Sequence, residues 1–355
     1  MRENPFSLDF GMKPSLYIPR YEEQRKIIET FSSETPSAHI FLLTGARGSG
    51  KTVLMTSVSA QLRESSKWIH IDLNSEGDLL NTMASAIYQS IKAKLPRLKL
   101  NVSLGGFQVE MEQQEKYYDV QTDLDTMLRT LEKRKIRVLI TIDEVYNAQN
   151  IRLFTSYFQH CLRENLSVFV LMTGLYKNIR ALQNNRSQTF LKRAPKINLS
   201  ALNSVRIAQK YKEIFEIDQE TAAEMARLTA GYSYGFQILG YLVYDAGKNK
   251  PDEHILSEYK LYLEESSYDK IWEELSAAER KVAAAIAKAK DNAAVKDVRE
   301  LLDIDSNSFS TYKDTLIKSG LLSLSSAYGH VNFCLPFFRE YILEKEEVAE
   351  LSELQ

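Results

Sequence analysis

An apolar strand that runs into a glycine-rich loop and then into a helix constrains this chain of 355 residues more than any other feature. The apolar run is His39–Thr44, and residues 45–52, here called the phosphate loop, read Gly-Ala-Arg-Gly-Ser-Gly-Lys-Thr. Glycines at the turns let backbone N–H groups converge on phosphate oxygens without side chains in the way. The helix predicted from Lys51 to about Glu64 points its positive end at the same place. The pattern therefore predicts an α/β fold of the P-loop type.

The phosphate loop matches the whole of the pattern G-x-x-x-x-G-K-[ST], which predicts a bound nucleoside triphosphate with Mg²⁺. ATP is the nucleotide that we expect. Lys51 should reach the β- and γ-phosphates, and the hydroxyl of Thr52 should bind Mg²⁺. An ordinary glycine-rich turn is the alternative, and the strand and helix on either side disfavour it. The residues expected at the nucleotide are Gly45, Ala46, Arg47, Gly48, Ser49, Gly50, Lys51, Thr52 and Val53.

The third predicted strand, Arg137–Ile142, is buried and ends in two adjacent carboxylates, Asp143 and Glu144, which we call the acidic pair. The acid-bearing strand of a P-loop fold lies beside the phosphate loop, so Asp143 should hold the water shell of Mg²⁺ opposite Thr52. Glu144 is placed to orient or deprotonate an attacking water. A strand that ends in a solvated acidic turn is the alternative. The second acid favours hydrolysis over phosphoryl transfer to a metabolite.

Short apolar runs alternate with helical patterns as far as residue 199, which predicts a parallel sheet with helices on both faces. The predicted strands are 39–44, 68–73, 137–142, 168–173 and 197–199, and the predicted helices between them are 51–64, 78–95, 120–134 and 150–163. Residues 96–117 read as an insertion or a mobile arm. The expected domains are a P-loop domain at 1–203, an all-α lid at 204–270, a winged helix at 271–343 and an acidic tail at 344–355.

The winged-helix expectation rests on the order of elements near the C-terminus. Ser276 and Glu279 form a predicted capping box at the start of a helix. The predicted helices are 277–289, 294–302 and 306–319, and a predicted hairpin has strands at 321–325 and 330–334. Three helices followed by a hairpin is the order of a winged helix-turn-helix.

Bulk properties narrow the class of protein. A net charge of −2 argues against a chain that coats nucleic acid, although it leaves room for a local basic surface. The first residues contain no apolar core of a signal peptide, and no stretch has 18 unbroken apolar residues. We therefore expect a cytoplasmic protein without membrane contact.

With these motifs the chain resembles the AAA+ ATPases, and most of all the prokaryotic ATPases near the origin-recognition and STAND branches. The resemblance covers nearly the whole chain. Besides the phosphate loop and the acidic pair, it rests on Asn4-Pro5-Phe6, on Ile18–Glu23, on Thr173-Gly174 and on the lid and winged helix. It implies a nucleotide held between an α/β domain and a helical lid, and it allows an ATP-dependent homo-oligomer.

The resemblance also implies roles for single residues. Ile18, Pro19 and Arg20 resemble the segment that closes over the base, with an ordinary approach to a helix as the alternative. Thr173, at the end of the fourth strand, resembles the polar sensor that contacts the γ-phosphate or the attacking water. Its alternative is a strand-end threonine that satisfies local backbone groups.

The arginines of the family pattern are matched less well. Arg193 resembles the arginine finger that AAA+ proteins insert into a neighbouring site, where it would stabilise developing charge. Arg186 and Lys192 compete for that role, and a solvated surface charge is the alternative. The lid should carry a sensor arginine within Gly231–Gln237, here called the lid segment, but aromatic residues and Gln237 stand there instead. This departure favours a slow switch over a ring-coupled motor.

The winged helix leaves two functions open. Its third helix offers polar side chains to a DNA groove, and Lys318 could meet a phosphate. Acids nevertheless match bases across residues 276–346, whereas DNA-binding domains usually have a basic excess. The chain is therefore either an ATPase that acts on double-stranded DNA, or a nucleotide-gated switch that binds a protein partner and turns over slowly. The candidate groove residues are Asn307, Ser308, Ser310, Thr311 and Lys313.

Overall fold

The computed structural model describes residues 3–9, 11, 13–98, 102, 119–289, 293–302, 304–324 and 329–353. Most of the segment expected to be an insertion, residues 96–117, lies outside these residues. The chain divides into two units, which we call the sheet unit and the helical unit. The sheet unit is Tyr21–Thr44 with Leu54–Ile197, and the helical unit is Met1–Arg20, Gly45–Val53 and Asn198–Gln355.

The sheet unit is built on strands whose apolar runs the sequence predicts. They are β1 (Ile40–Thr44), β2 (Trp68–Leu73), β3 (Arg137–Ile142), β4 (Val168–Thr173) and β5 (Lys196–Asn198). Among the described residues these strands form one sheet in the order β2-β3-β4-β1-β5. β3 pairs in parallel with both β2 and β4, and β4 pairs in parallel with β1. Every residue of β1 and β4 is buried, as expected for strands covered on both faces.

Helices flank these strands, and local caps define several of their ends. They are α1 (Tyr21–Ser32), α2 (Lys51–Arg63), α3 (Leu79–Lys94), α4 (Val120–Glu132), α5 (Gln149–Arg163) and α6 (Tyr176–Asn184). Asp78 caps α3 by accepting from the N–H of Asn81, and Asp119 caps α4 by accepting from the N–H of Gln121. The predicted fold class is confirmed. The sequence did not predict α1, α6 or the 3₁₀ helix at Arg186–Arg193.

All regular elements of residues 204–270 are helical, and each of these residues is described. They are α7 (Ser204–Phe215), α8 (Gln219–Leu228), α9 (Ser233–Asp245), α10 (Glu253–Leu263), a π-helix (Glu264–Tyr268) and the start of α11 (Asp269–Glu274). The all-helical character expected of this region is confirmed. We call residues 264–274 the connecting segment, because they lead into the C-terminal region.

The C-terminal region contains the helices and the hairpin that the sequence predicts. They are α12 (Ala277–Lys288), β6 (Ala293–Ala294), α13 (Val295–Leu302), α14 (Ser306–Lys318), β7 (Leu322–Leu324), β8 (His330–Phe333) and α15 (Phe338–Glu353). The capping box of Ser276 and Glu279 is present. β6, which was not expected, pairs antiparallel with β8, and β7 pairs with its other side. α15 continues without a break through Glu344, where the acidic tail is expected to begin.

Aromatic side chains form much of the core of the helical unit. Tyr211, Tyr268 and Phe236 are fully buried there, and Phe6, from the N-terminal segment (residues 3–20), packs against Tyr211 and Phe236. A Cβ at Gly240 would lie 2.2 Å from the ring of Phe6, so only glycine leaves room for this contact. None of the described helices is both long and apolar enough to cross a membrane.

Candidate functional site

The phosphate loop turns at three glycines with positive φ. The angles are 148° at Gly45, 72° at Gly48 and 89° at Gly50, in the region where a side chain is strained. Space is a second reason for glycine at one of them, since a Cβ on Gly48 would lie 2.3 Å from the hydroxyl of Tyr232. The loop conformation therefore depends on glycine both for its backbone angles and for close packing.

Lys51 folds back over the loop that precedes it. Its Nζ donates to the carbonyl of Gly45 at 3.1 Å and to that of Ala46 at 2.9 Å. The Oγ of Ser49 is buried and has no hydrogen-bond partner among the described residues. Leaving a buried hydroxyl unsatisfied costs about 1–3 kcal/mol. A phosphate oxygen would satisfy that donor, so the loop suits a phosphate in its chemistry as well as its sequence.

Arg20 holds the phosphate loop from the N-terminal segment. Its guanidinium donates to the carbonyl of Ser49 at 3.0 Å and to that of Ser200 at 2.7 Å. Ile18 is buried in the core of the helical unit, and the carbonyl of Pro19 accepts from Arg206 at 3.3 Å. These three residues, predicted to close over the base, are thus packed beside the loop, with Arg20 in direct contact with it.

The lid segment contacts the same loop through residues that sequence reasoning did not assign. The hydroxyl of Tyr232 donates to the carbonyl of Arg47 at 2.8 Å, and that of Ser233 donates to the carbonyl of Ser49 at 3.1 Å. The backbone N–H of Tyr234 donates to the carbonyl of Gly48 at 3.2 Å. The only signal in the sequence was a pair of tyrosines where the family pattern has an arginine.

Gln237, the last residue of the lid segment, faces the N-terminal segment. Its Oε1 accepts from the N–H of Ser7 at 3.0 Å, and its Nε2 donates to the carbonyl of Leu16 at 2.7 Å. Gln237 therefore fastens the N-terminal segment to α9.

The connecting segment also reaches the loop. Tyr232 is almost fully buried, and burial raises the pKa of its hydroxyl, which therefore stays protonated and shares a hydrogen bond of 2.8 Å with Ser267 of the π-helix. The guanidinium of Arg47 lies 3.2 Å from the carboxylate of Glu274. In addition, a Cβ on Gly320, which follows α14, would come within 3.1 Å of the N atom of Ala46. Residues of the all-helical stretch 204–270, of the connecting segment and of the C-terminal region therefore all lie against the phosphate loop.

The acidic pair follows β3 in the sheet unit, next to the end of β4. The hydroxyl of Thr173 donates to the carboxylate of Asp143 and accepts from the N–H of Glu144 at 3.1 Å. Thr173 is fully buried, Asp143 is half-buried and Glu144 is exposed. The structure therefore brings together three residues predicted to be catalytic.

Glu144 has an unusual backbone. Its φ is 51°, which a residue other than glycine adopts at a cost of about 1–2 kcal/mol. The N–H of Glu144 bonds to Asp143 Oδ1 at 3.0 Å, and the N–H of Val145 bonds to the carbonyl of Thr173 at 2.8 Å. These hydrogen bonds hold the strained turn and keep the Glu144 side chain in solvent, a position suited to contact with a water molecule.

The candidate finger residues lie on the 3₁₀ helix that precedes β5. Arg186 stands at its start, and Lys192 and Arg193 stand at its end. All three side chains are exposed. Their exposure suits contact with another molecule and does not single out one of them.

Comparison with known proteins agrees with this geometry. Residues 35–189 match the AAA domain family, and residues 265–342 match a domain of unknown function, DUF8462. Residues 35–189 form an AAA+ domain. The AAA+ domain includes the phosphate loop, the acidic pair and Thr173, whereas Arg20, Arg193 and the lid segment lie outside it. No curated protein matches the chain.

Solved structures extend the likeness of the AAA+ domain to nearly the full chain. A Walker-type ATPase of Pyrococcus abyssi has a TM-score of 0.63 at 16% identity, over 95% of this chain and 99% of that one. The ORC2 protein of Aeropyrum pernix, in its ADPNP–ADP complexes, has a TM-score of 0.57 at 13% identity, over 96% of this chain and 98% of that one. At these identities the likeness shows a shared fold, and together with the match to the AAA domain family it confirms the predicted resemblance to AAA+ proteins.

Proposed function

We propose that this protein binds ATP with Mg²⁺ and hydrolyses it, slowly or on stimulation by a partner, and that its nucleotide state controls the C-terminal region. The observation that carries the proposal is the Thr173–Asp143–Glu144 cluster at the end of β3. β4 lies between β3 and β1, and the phosphate loop follows β1 directly. Each motif thus follows a strand of the same parallel sheet, and open α/β sheets bind ligands beyond the carboxyl ends of their strands. The related fold of the ORC2 protein, solved with ADPNP and ADP, adds support.

Each residue has a defined task in this proposal. Lys51 leaves its two loop carbonyls to bind the β- and γ-phosphates, and Ser49 Oγ donates to a phosphate oxygen. Thr52 and Asp143 hold Mg²⁺, which when bound would neutralise charge on the phosphates. Thr173 orients Asp143 by its hydrogen bond. Glu144 accepts a proton from the attacking water.

The test of hydrolysis is Glu144→Gln. We expect this variant to bind ATP as tightly as the parent and to retain it, with hydrolysis slowed by about 10²–10⁴-fold, the usual contribution of a general base. Glu164→Gln, an exposed glutamate paired with Arg129 in the same unit, is the matched control and should hydrolyse normally. Equal hydrolysis by Glu144→Gln and the parent would rule out its role.

We extend the proposal to the arrangement of domains. A P-loop domain at 1–203 and an all-α lid at 204–270 would hold the nucleotide, and a winged helix at 271–343 with its acidic tail would receive the signal. The order of α12, α13, α14, β7 and β8 supports a winged helix. A cytoplasmic location fits the same proposal.

An ATP-dependent homo-oligomer is also part of the proposal. The exposed Arg193 would be the arginine finger that enters a neighbouring site in this oligomer, and Arg186 and Lys192 are the alternatives. Light scattering in each nucleotide state can detect the oligomer.

Double-stranded DNA is the proposed target of the winged helix. α14 exposes polar side chains that can meet a groove, among them Asn307, Ser310 and Thr311, and Lys318 is exposed at its end. Binding to duplex DNA should weaken steeply as salt rises and should differ between the ATP- and ADP-bound protein. Absence of salt-sensitive binding in both states would remove DNA from the proposal.

A nucleotide-gated protein switch is the second candidate. Lys313 of α14 is mostly covered and pairs with Asp314 at 3.8 Å, whose exposed carboxylate would repel a DNA phosphate. Leu301 and Leu324 of the C-terminal region are each about two-thirds exposed, at 66% and 68%. Apolar side chains on an evenly charged surface suit a protein partner better than a phosphate backbone. Rapid multiple turnover without a partner would count against this candidate.

A further inference from the structure

Arg47 is the one long cationic side chain within the phosphate loop besides Lys51. It follows Ala46, whose carbonyl accepts from the Nζ of Lys51 at 2.9 Å. Neighbouring Cα atoms are about 3.8 Å apart, and an arginine side chain reaches further than that. Arg47 is therefore the residue next to a carbonyl that Lys51 contacts, beside the place where phosphates are proposed to bind.

Arg47 is joined to the connecting segment in two ways. Its guanidinium contacts the carboxylate of Glu274, at the end of α11, at 3.2 Å. Its carbonyl accepts from the hydroxyl of Tyr232, which also bonds to the buried Ser267 in the π-helix. Arg47 thus contacts the end of the connecting segment directly, and it is linked to Ser267, near the start of that segment, through the hydroxyl of Tyr232.

The contact with Glu274 is of a kind that a phosphate can replace. Both side chains keep part of their surface in solvent, 27% for Arg47 and 28% for Glu274, and partly exposed pairs contribute little to stability. The terminal phosphate of ATP carries more negative charge than a carboxylate, and guanidinium binds it with two parallel hydrogen bonds. ADP lacks that group. The exchange would therefore distinguish ATP from ADP.

The lid segment supplies no cation that could do this. Residues 231–237 contain neither arginine nor lysine, and Tyr232 and Tyr234 are packed against the loop. A cationic side chain that contacts the terminal phosphate must then come from elsewhere in the chain. Arg47 already belongs to the loop and already contacts the connecting segment.

We propose that Arg47 is the residue that senses the terminal phosphate of ATP. Without nucleotide, or with ADP, it pairs with Glu274 and holds the connecting segment against the phosphate loop. With ATP bound, Arg47 turns to the terminal phosphate and releases Glu274, which loosens the connecting segment and the turn at Gly320 that packs on Ala46. This inference rests on the proposed function, because it requires a nucleotide at the loop.

The first experiment measures the affinity of the full chain for ADP and for a non-hydrolysable ATP analogue. Arg47→Gln should weaken the ATP analogue about tenfold, because the variant loses the two bonds to the phosphate but no longer has to give up the contact with Glu274, and it should leave ADP unchanged. Glu274→Gln should tighten the ATP analogue several-fold, because Arg47 no longer has to leave a carboxylate. Arg129→Gln removes an arginine from the exposed pair with Glu164 and is the matched control, which should bind as the parent does.

The second experiment follows amide hydrogen exchange in residues 264–274. In the parent we expect faster exchange with the ATP analogue than with ADP or without nucleotide. In both Glu274→Gln and Arg47→Gln, exchange should be fast already without nucleotide, and added ATP analogue should change it little. This readout does not depend on hydrolysis, and Glu274→Gln tests the pair even if Arg47→Gln folds poorly.

The results separate this inference from the proposed function. If Lys51→Ala binds nucleotide as the parent does, the proposed function is wrong. If Lys51→Ala loses binding while Arg47→Gln keeps the parental ratio of ATP to ADP affinity, only the role of Arg47 is overturned. Exchange in residues 264–274 that is the same with ATP analogue and with ADP in the parent would likewise overturn it.

Discussion

The phosphate loop and the acidic pair both follow parallel strands, yet different parts of the chain hold them in place. Donors from far along the chain hold the loop, since Tyr232 and Ser233 lie 185 and 184 residues from the groups that they contact. Thr173 of the neighbouring strand holds the acidic pair. The loop therefore depends on tertiary packing of the helical unit, whereas the acidic pair depends mainly on the sheet. Changes in the helices should affect nucleotide binding, and changes beside β3 should affect hydrolysis.

The largest effect on nucleotide binding and stability should come from Gly48→Ala, which tests whether the helical unit holds the phosphate loop. A Cβ there would meet the hydroxyl of Tyr232 at 2.3 Å, and φ is 72°. We expect a loss of nucleotide binding and a stability loss of more than about 2 kcal/mol, from strain and a steric clash together. Isothermal titration with ADP and thermal unfolding measure the two effects.

Gly247→Ala is the control for backbone strain alone. Gly247 has a φ of 62° and no atom near the position of an added Cβ. We expect a cost of about 1 kcal/mol and unchanged nucleotide binding. Equal stability losses in the two variants would show that the contact between loop and lid segment is unimportant.

A smaller effect is expected from Tyr232→Phe. This change removes a buried hydroxyl that serves the carbonyl of Arg47 and the hydroxyl of Ser267. We expect a stability loss of about 1–3 kcal/mol and weaker nucleotide binding, because both partners lose a hydrogen bond.

Tyr157→Phe is the matched control, since Tyr157 is also buried and its hydroxyl donates to the carboxylate of Asp125 at 2.8 Å within the sheet unit. It should lose similar stability without any change in nucleotide affinity. If both tyrosine variants bind nucleotide as the parent does, the lid segment does not position the loop.

The smallest expected change in stability concerns the acidic pair, and it comes from replacing Glu144 with glycine. Glu144→Gly should raise the free energy of unfolding by about 0.5–1 kcal/mol, because glycine adopts a positive φ without strain but loses more entropy on folding. Hydrolysis should nevertheless fall to the level of Glu144→Gln. Chemical denaturation and phosphate release measure these opposite changes.

Glu216→Gly provides the control, because Glu216 has nearly the same φ, 52°, at the end of α7. We expect the same small stabilisation with no change in hydrolysis. A destabilised Glu144→Gly beside a stabilised Glu216→Gly would mean that the Glu144 carboxylate supports the fold.

Apolar runs and capping residues, which are local features of the sequence, were sufficient to predict most of the strands and helices. The apolar runs at β1 and β4 predict buried strands, because parallel strands covered on both faces need continuous apolar residues. The cap at Asp78 and the capping box at Ser276 each use groups within three residues. α6 and the two-residue strand β6 were missed. β6 is defined by its pairing with a strand more than 30 residues away.

The sequence by itself determined the glycines of the phosphate loop, the lysine that follows them and the acidic pair after β3, since each depends on neighbours in the chain. Tertiary structure alone decided that Arg20, Tyr232 and Glu274 meet the loop, and that Glu144 takes a positive φ. Contacts between distant residues follow from how helices pack, and packing is set by many side chains at once. Residue 47 shows the difference best: its place in the loop can be read from the sequence, and its partner only from the fold.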